Sequence, residues 1–382
     1  MATTCRKSWT GAGPREGLRV DSLTVLALNS GSSSLKFGLY RVDSNGAEKL
    51  FGESVSTADD PDAMARVVGV LAASGMPPPN VVGHRIVHGG PALRQHCRID
   101  DAVLRQLQEA AAFAPLHTPA ALALIRFAQR QFPGVPQVAC FDTQFHADLP
   151  EVARVLPIAR ELLSDGMQRY GFHGLSLESI VRQLGEALPQ RLVVAHLGNG
   201  ASITALKAGL SIDTSMGMTP SGGVIMGTRS GDLDPGVLVY LMREKKFDAS
   251  RLETFVDQRS GLLGISGLSG DMRRLHEAAA SNRDARLAIE MFCYSVRKQV
   301  AAMVAVLGGL DMFVFTGGIG ENDAAVRAEI CAGLAWIGVR LDEARNRAAS
   351  NPVSDGLSRC QVLVLPSQED EQIARHAWAA LA

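Results

Sequence analysis

Apolar and polar positions follow two rhythms along the chain, and the two alternate. Residues 23–28 (LTVLAL) form an unbroken apolar run of strand length. The small-residue stretch Asn29–Ser34 follows, and then a second apolar run, LKFGLYRV. Two strands joined by a short glycine-containing loop predict a hairpin. Residues 100–113 carry helical periodicity, with Asp100 or Asp101 placed to cap the start. Residues 176–188 read as helix after Ser176, and residues 284–307 as the longest helix, stopped by Gly308 and Gly309. Strands and helices that alternate in this way predict an α/β architecture with helices packed on sheets.

The segment TVLALNSGSSSLKF has a weaker echo, LVVAHLGNGASITAL, at an offset of 169 residues. Each copy is an apolar strand, a loop with Gly31-Ser-Ser or Gly200-Ala-Ser, and a further apolar strand. A strand–loop–strand unit present twice predicts two similar domains. Small residues let backbone N–H groups approach anionic oxygens closely, and serine hydroxyls add donors. The Walker-type loop, GxxxxGK followed by Ser or Thr, is absent. GGIGEND at 317–323 is a broken GxGxxG that does not open the first strand–helix–strand unit, which argues against a dinucleotide-dependent dehydrogenase. The doubled pattern resembles the superfamily of actin, the sugar kinases and the heat-shock ATPases. That resemblance implies two actin-like (ribonuclease H-like) domains with an ATP cleft between them. Residues 22–150 plus 367–382 are assigned to the first domain and 151–366 to the second.

Composition narrows the function classes. A chain of 382 residues exceeds one ordinary core, which agrees with two domains. A net charge of −1 gives no field of one sign, so neither nucleic acid nor an anionic membrane is expected as partner. No run of about 18 apolar residues marks a membrane span. The six cysteines are scattered, without CxxC or metal-like pairing with histidine, and read as reduced thiols of a cytoplasmic protein. Residues 1–21 have no apolar h-region and read as a disordered extension or an early start codon.

The segments LALNSGSSSLKF, VGHRIVHGG, APLHTP, CFDTQFH, YGFHG, HLGNGAS, MGTRSGDLDP and FTGGIGEN occur in that order. Together they resemble the signature series of the acetate kinase family, which includes propionate and butyrate kinases, and the resemblance spans roughly residues 23–380. It implies transfer of the γ-phosphoryl group of ATP to a small carboxylate, with Mg²⁺ or alternatively Mn²⁺, in a cytoplasmic homodimer. Phosphoryl transfer between anions needs positive charge where transition-state charge spreads, and the planar arginine fork suits both carboxylate and phosphate. By resemblance Arg85 holds the carboxylate and Arg229 the transferring group, while His173 donates to phosphoryl oxygens. Asp142 orients substrate or a metal-bound water, because acetate, already ionised near neutral pH, hardly needs a base. His117 lies near the site in the family.

The resemblance further implies nucleotide contacts from Lys36, from His196, Leu197, Gly198, Asn199 and Gly200, from Asp271, Met272 and Arg273, and from Gly318, Ile319, Gly320, Glu321 and Asn322. Asn29 and Glu369 match metal-associated positions, with slippage from Glu369 to Asp370 left open. Val87, Leu116, Phe172 and Pro220 match an apolar pocket for the substrate methyl group. Three departures stand out. Leu175 and Leu177 replace a threonine and a histidine, Ser221 and Gly222 replace a leucine and a glutamate, and LPSQED replaces a more acidic motif. Leu177 is expected to delete a polar partner near the phosphate region. The rivals are a propionate or butyrate kinase, a non-enzymatic actin-like nucleotide switch, and an inactive paralogue.

Overall fold

The computed structural model describes residues 22–31, 34–56, 63–115 and 117–382. The expected extension over 1–21, Ser32 and Ser33 of the first glycine–serine loop, and Leu116 lie outside the described residues. The chain divides into two compact units. One runs up to Gln144 and takes in Gln368–Ala382; the other is Phe145–Ser367.

The first unit is built on a sheet of six strands: β1 (Ser22–Ser30), β2 (Ser34–Asp43), β3 (Ala47–Ser56), β4 (Val81–Ile86), β5 (Cys97–Arg98) and β6 (Gln137–Phe141), in the order β3-β2-β1-β4-β6-β5. The predicted hairpin is the antiparallel β1–β2 pair, in which Ala27 lies opposite Gly38 and Asn29 opposite Lys36. β4 runs parallel to β1, and β6 parallel to β4. Val25–Leu28 are all buried, as expected of a strand covered on both faces. The C-terminal helix Glu369–Ala379 packs on β1, β2, β4 and β6. Gly83 permits that approach, since a Cβ there would stand 2.7 Å from Ile373 Cγ2 and 3.1 Å from Ala377 Cβ. The helix Thr118–Gln131 contributes Leu124 and Ala128 to a core shared with Leu26, Leu28, Phe37 and Val82. Asp100 caps the helix Asp101–Glu109 by accepting the Val103 N–H at 2.8 Å.

The second unit repeats the scheme. Its strands are β7 (Arg191–Leu197), β8 (Ala201–Lys207), β9 (Leu210–Thr214), β10 (Met312–Thr316) and β11 (Gln361–Val364), in the order β11-β10-β7-β8-β9. β7, β8 and β9 form an antiparallel meander like β1, β2 and β3, and β10 and β11 add on in parallel as β4 and β6 do. The weak sequence echo therefore marks a repeated topology. The helix Gly174–Leu184 starts two residues before Ser176. It places Leu177, Ile180 and Leu184 against Leu192, Val194, Leu206, Met312 and Val314. The helix Arg283–Leu307 begins on Asn282, whose side chain accepts the Asp284 and Ala285 N–H groups. It ends at Gly308 in the left-handed conformation, φ 69°.

The departures from the family pattern now have a physical setting. Leu175 and Leu177 are fully buried, and Leu177 sits in the apolar core of the second unit. Leucine at 177 packs among the apolar side chains of this unit. Ser221 donates to Asp257, and Gly222 leaves room beside Asp232, whose Oδ1 would stand 3.3 Å from a Cβ. Leu177→Ala is predicted to lower stability by about 2–5 kcal/mol, the usual range for a buried leucine, read as a fall in the chemical-denaturation midpoint. An unchanged midpoint would show that this core relaxes around the deletion.

Candidate active site

In the first unit, polar groups gather at the carboxyl ends of the parallel strands. Arg85 is the penultimate residue of β4, and Asp142 directly follows β6, its N–H held by the Ile86 carbonyl at 2.9 Å. Arg85 Nε and Nη2 both donate to Asp142 Oδ2, at 3.0 and 2.6 Å. Its Nη1 donates to Asn29 Oδ1 at 3.1 Å and lies 3.6 Å from Glu369 Oε2. Asn29, at the end of β1, donates through Nδ2 to Glu369 Oε2 at 2.9 Å and to Asp370 Oδ1 at 2.7 Å. Asn29, Asp142 and Glu369 are buried.

The electrostatics follow from this packing. Burial works against the Arg85 charge, but the carboxylates of Asp142, Glu369 and Asp370 outweigh it and hold the guanidinium pKa above its ordinary value. Burial also raises the Asp370 carboxyl; the Asn29 amide and the Lys36 and Lys49 charges pull the other way. Lys36 itself is exposed on β2. The expected metal position at Glu369 thus comes with Asp370 beside it. Two carboxylates converging on one amide form an oxygen donor set that fits a hard divalent cation. Asn29 is a poorer candidate ligand here, because its oxygen accepts from Arg85. Val87 follows β4 and is half-buried.

The second unit brings together the residues read from YGFHG, HLGNG and MGTR. His173 caps the helix Gly174–Leu184 with φ 60°, a left-handed conformation that is costly for a non-glycine residue and common at functional positions. Its Nδ1 lies 2.9 Å from Ser202 Oγ on β8. His196, on β7, stacks on it with ring centroids 4.1 Å apart and planes 17° from parallel. Gly198 to Gly200 turn β7 into β8, closed by the Gly198 N–H on the Gly200 carbonyl at 2.9 Å. A Cβ on Gly200 would stand 3.0 Å from Arg229 Nη2 and 3.3 Å from His173 Nε2. A guanidinium and an imidazole therefore converge over Gly200. Arg229 also donates to the Pro220 carbonyl at 2.7 Å. Asn199 abuts Gly227 of the arginine's own motif, accepting its N–H at 3.2 Å.

Other candidates take more structural places. Asp271 caps the helix Met272–Ala278, accepting the Arg273 N–H at 2.9 Å, and pairs with the exposed Arg273 guanidinium at 2.7 Å. Met272 is buried. Gly318, Ile319, Gly320, Glu321 and Asn322 form a short helix, Gly317–Asn322, directly after β10. The Glu321 carboxylate accepts two backbone N–H groups, from Gly317 at 3.0 Å and Ser367 at 2.9 Å. Phe172 and Pro220 are buried, and His117 stands at the cap of Thr118–Gln131.

Sequence reasoning passed over His146, the last residue of CFDTQFH. It is buried, with Nδ1 2.8 Å from Ser211 Oγ and Nε2 3.0 Å from the Phe172 carbonyl. It therefore braces the turn that carries His173. Its place at the end of a recognised motif was the available signal.

The sequence profile of the Acetokinase family matches residues 53–375. A protein from Methylocella silvestris named acetate kinase is 42% identical over 400 residues, covering 94% of this chain and 98% of its own. One of the same name from Nitrobacter hamburgensis is 40% identical, covering 94% and 96%. Among solved structures, a propionate kinase from Francisella tularensis superposes with TM-score 0.84 at 34% identity, over 94% of this chain and all of that one. Porphyromonas gingivalis acetate kinase gives 0.79 at 34% identity, again over 94% and 100%. These likenesses place the two repeated sheets in the actin-like α/β class.

Burial lowers the His146 pKa from 6.5 to about 4, and burial does the same to His84, whose Nε2 lies 2.6 Å from Gln137 Oε1. Between those values the unfolded chain binds protons that the folded chain refuses, so stability rises with pH. The contribution is complete above about pH 6.5 and is lost as pH falls toward 4, by up to about 3 kcal/mol per histidine. Denaturation midpoints measured from pH 7 to 4 should fall, and His146→Asn should flatten the slope. A slope unaffected by that change would refute the neutral, buried state of His146.

Proposed function

The chain belongs to the acetokinase family, and from that premise we propose that it is an acetate kinase, converting ATP and acetate reversibly to ADP and acetyl phosphate. The observation that carries this reading is the convergence of Arg229 and His173 over Gly200. In-line attack of a carboxylate oxygen on the γ-phosphorus spreads negative charge over the phosphoryl oxygens, and a fixed guanidinium and imidazole act on such charge. The β7–β8 loop, Lys36, the Asp271–Arg273 turn and the Gly318–Asn322 helix are assigned to the nucleotide. Arg85 is assigned to the acetate carboxylate. Three of its five N–H groups are engaged by Asp142 and Asn29, leaving two for a substrate oxygen. Asp142 then positions Arg85 rather than abstracting a proton, since acetate is already ionised. Val87, Leu116, Phe172 and Pro220 are assigned to the methyl group.

Mg²⁺ would be held by Glu369 and Asp370, with Asn29 orienting both carboxylates, and would neutralise charge on the nucleotide phosphates. A propionate kinase is the rival reading, favoured by the solved neighbour of that name. One methylene in an apolar pocket is worth only about 1–3 kcal/mol, so propionate is expected to be a poorer but real substrate. No described helix is long and apolar enough to cross a membrane, and a cytoplasmic location is assigned on the scattered free cysteines. A homodimer is assigned because the helix Pro235–Glu244 has no buried residue and exposes Val237, Val239, Tyr240 and Met242.

Trapping the acyl phosphate as hydroxamate with acetate, propionate and butyrate tests the reaction and ranks the acids. No product from any acid would overturn the reading. Arg229→Ala should lower kcat by roughly 10²–10³ with ATP binding little changed, as for loss of one charge-stabilising donor. Lost ATP binding with kcat preserved would sink the role of Arg229. Sedimentation should show a dimer that Tyr240→Glu dissociates; a dimer indifferent to that change would place the interface elsewhere.

A further inference from the structure

We propose that Ser176, backed by Ser367, is a positioning residue that sets the tautomer of His196, holding its proton on Nε2 toward the glycine loop. One chain of hydrogen bonds within the second unit leads to that ring. Glu321 Oε1 accepts the Ser367 backbone N–H at 2.9 Å and the Gly317 N–H at 3.0 Å, which anchors Ser367 to the short helix after β10. Ser367 Oγ donates to Ser176 Oγ at 3.0 Å. Ser176 Oγ lies 2.9 Å from His196 Nδ1.

Ser176 is fully buried, and its hydroxyl has one hydrogen to give. Ser367 has already donated to it, so the acceptor for that hydrogen is His196 Nδ1. A neutral imidazole whose Nδ1 accepts carries its hydrogen on Nε2. That atom lies beside the loop between β7 and β8, 3.9 Å from where a Cβ on Gly198 would stand. The ligand that an N–H there would recognise is a phosphate oxygen of a nucleotide. Four separate segments, GFHGLS, HLGNG, GGIGEN and LPSQ, are thereby linked to one ring nitrogen.

The phosphate assignment rests on the proposed kinase reading; the tautomer does not. Long-range ¹H–¹⁵N NMR of the imidazoles in the full chain reads the tautomer directly, with the His196 signal identified by its loss in His196→Gln. The wild-type ring should show a single Nε2–H form. Ser176→Ala should give a mixture of tautomers and a roughly tenfold loss in kcat/KM for ATP, about the worth of one hydrogen bond. Ser367→Thr, which keeps the donor hydroxyl, should retain the wild-type spectrum, and Ser367→Ala should be intermediate. If Ser176→Ala fails to fold, the Ser367 pair still decides the matter. An unshifted His196 spectrum in Ser176→Ala, or in Ser367→Ala where only that pair folds, overturns the proposal. A shifted spectrum in a protein that makes no acyl phosphate would uphold the tautomer and overturn the kinase reading instead.

Discussion

The first unit is organised around a cation, Arg85, largely withdrawn from solvent and held by its counter-charges. Arg85 lies among Asp142, Glu369 and Asp370, with Asn29 bridging the guanidinium to the two carboxylates of the C-terminal helix. Removing Arg85 would take from the buried Asp142 carboxylate the cation that donates to it twice, which costs far more than an exposed ion pair is worth. The arrangement requires four segments in register: the ends of β1, β4 and β6, and the start of Glu369–Ala379. That requirement explains why the chain returns to its first unit after completing the second.

The second unit gathers its polar groups around two stacked imidazoles. The apolar core formed by the helix Gly174–Leu184 and the even-numbered positions of β7 and β10 continues into a polar layer at the strand ends. There Ser176, His196, His173 and Ser202 are joined in pairs, and the two rings stack. Each buried polar atom in such a layer needs a partner, so the layer is rigid where its network is complete. Rigidity of this kind holds an imidazole and a guanidinium close over a glycine without an intervening side chain. His146 extends the same support to the backbone at Phe172, and thus to the strained His173.

The departures from the family pattern show why a residue type is a poor guide to its effect. Leu177 read in isolation is a lost polar group, yet it packs with Ile180, Leu184, Leu192 and Val194 in the apolar core of the second unit. Asp271 and Glu321 read as nucleotide contacts, yet both carry backbone N–H groups that would otherwise be unsatisfied. A carboxylate spent on capping still shapes a binding loop, by fixing where the loop's remaining amides point.

The sequence by itself determined the α/β class, the hairpin at Asn29–Ser34, the long helix ending at Gly308, the doubled strand–loop–strand unit and the family. These depend on short-range rules: apolar periodicity, glycine where φ is positive, and ordered motifs. It also picked out Arg85, Asp142, His173 and Arg229, through the family resemblance that the ordered motifs carry. Tertiary structure alone decided which of these meet. Asn29 and Asp370 touch across 341 residues, and Ser176 and Ser367 across 191, separations at which no local pattern records a contact. The tautomer of His196, the pairing of Glu369 with Asp370 and the bracing role of His146 arise from burial and hydrogen-bond satisfaction, which exist only once distant segments are packed together.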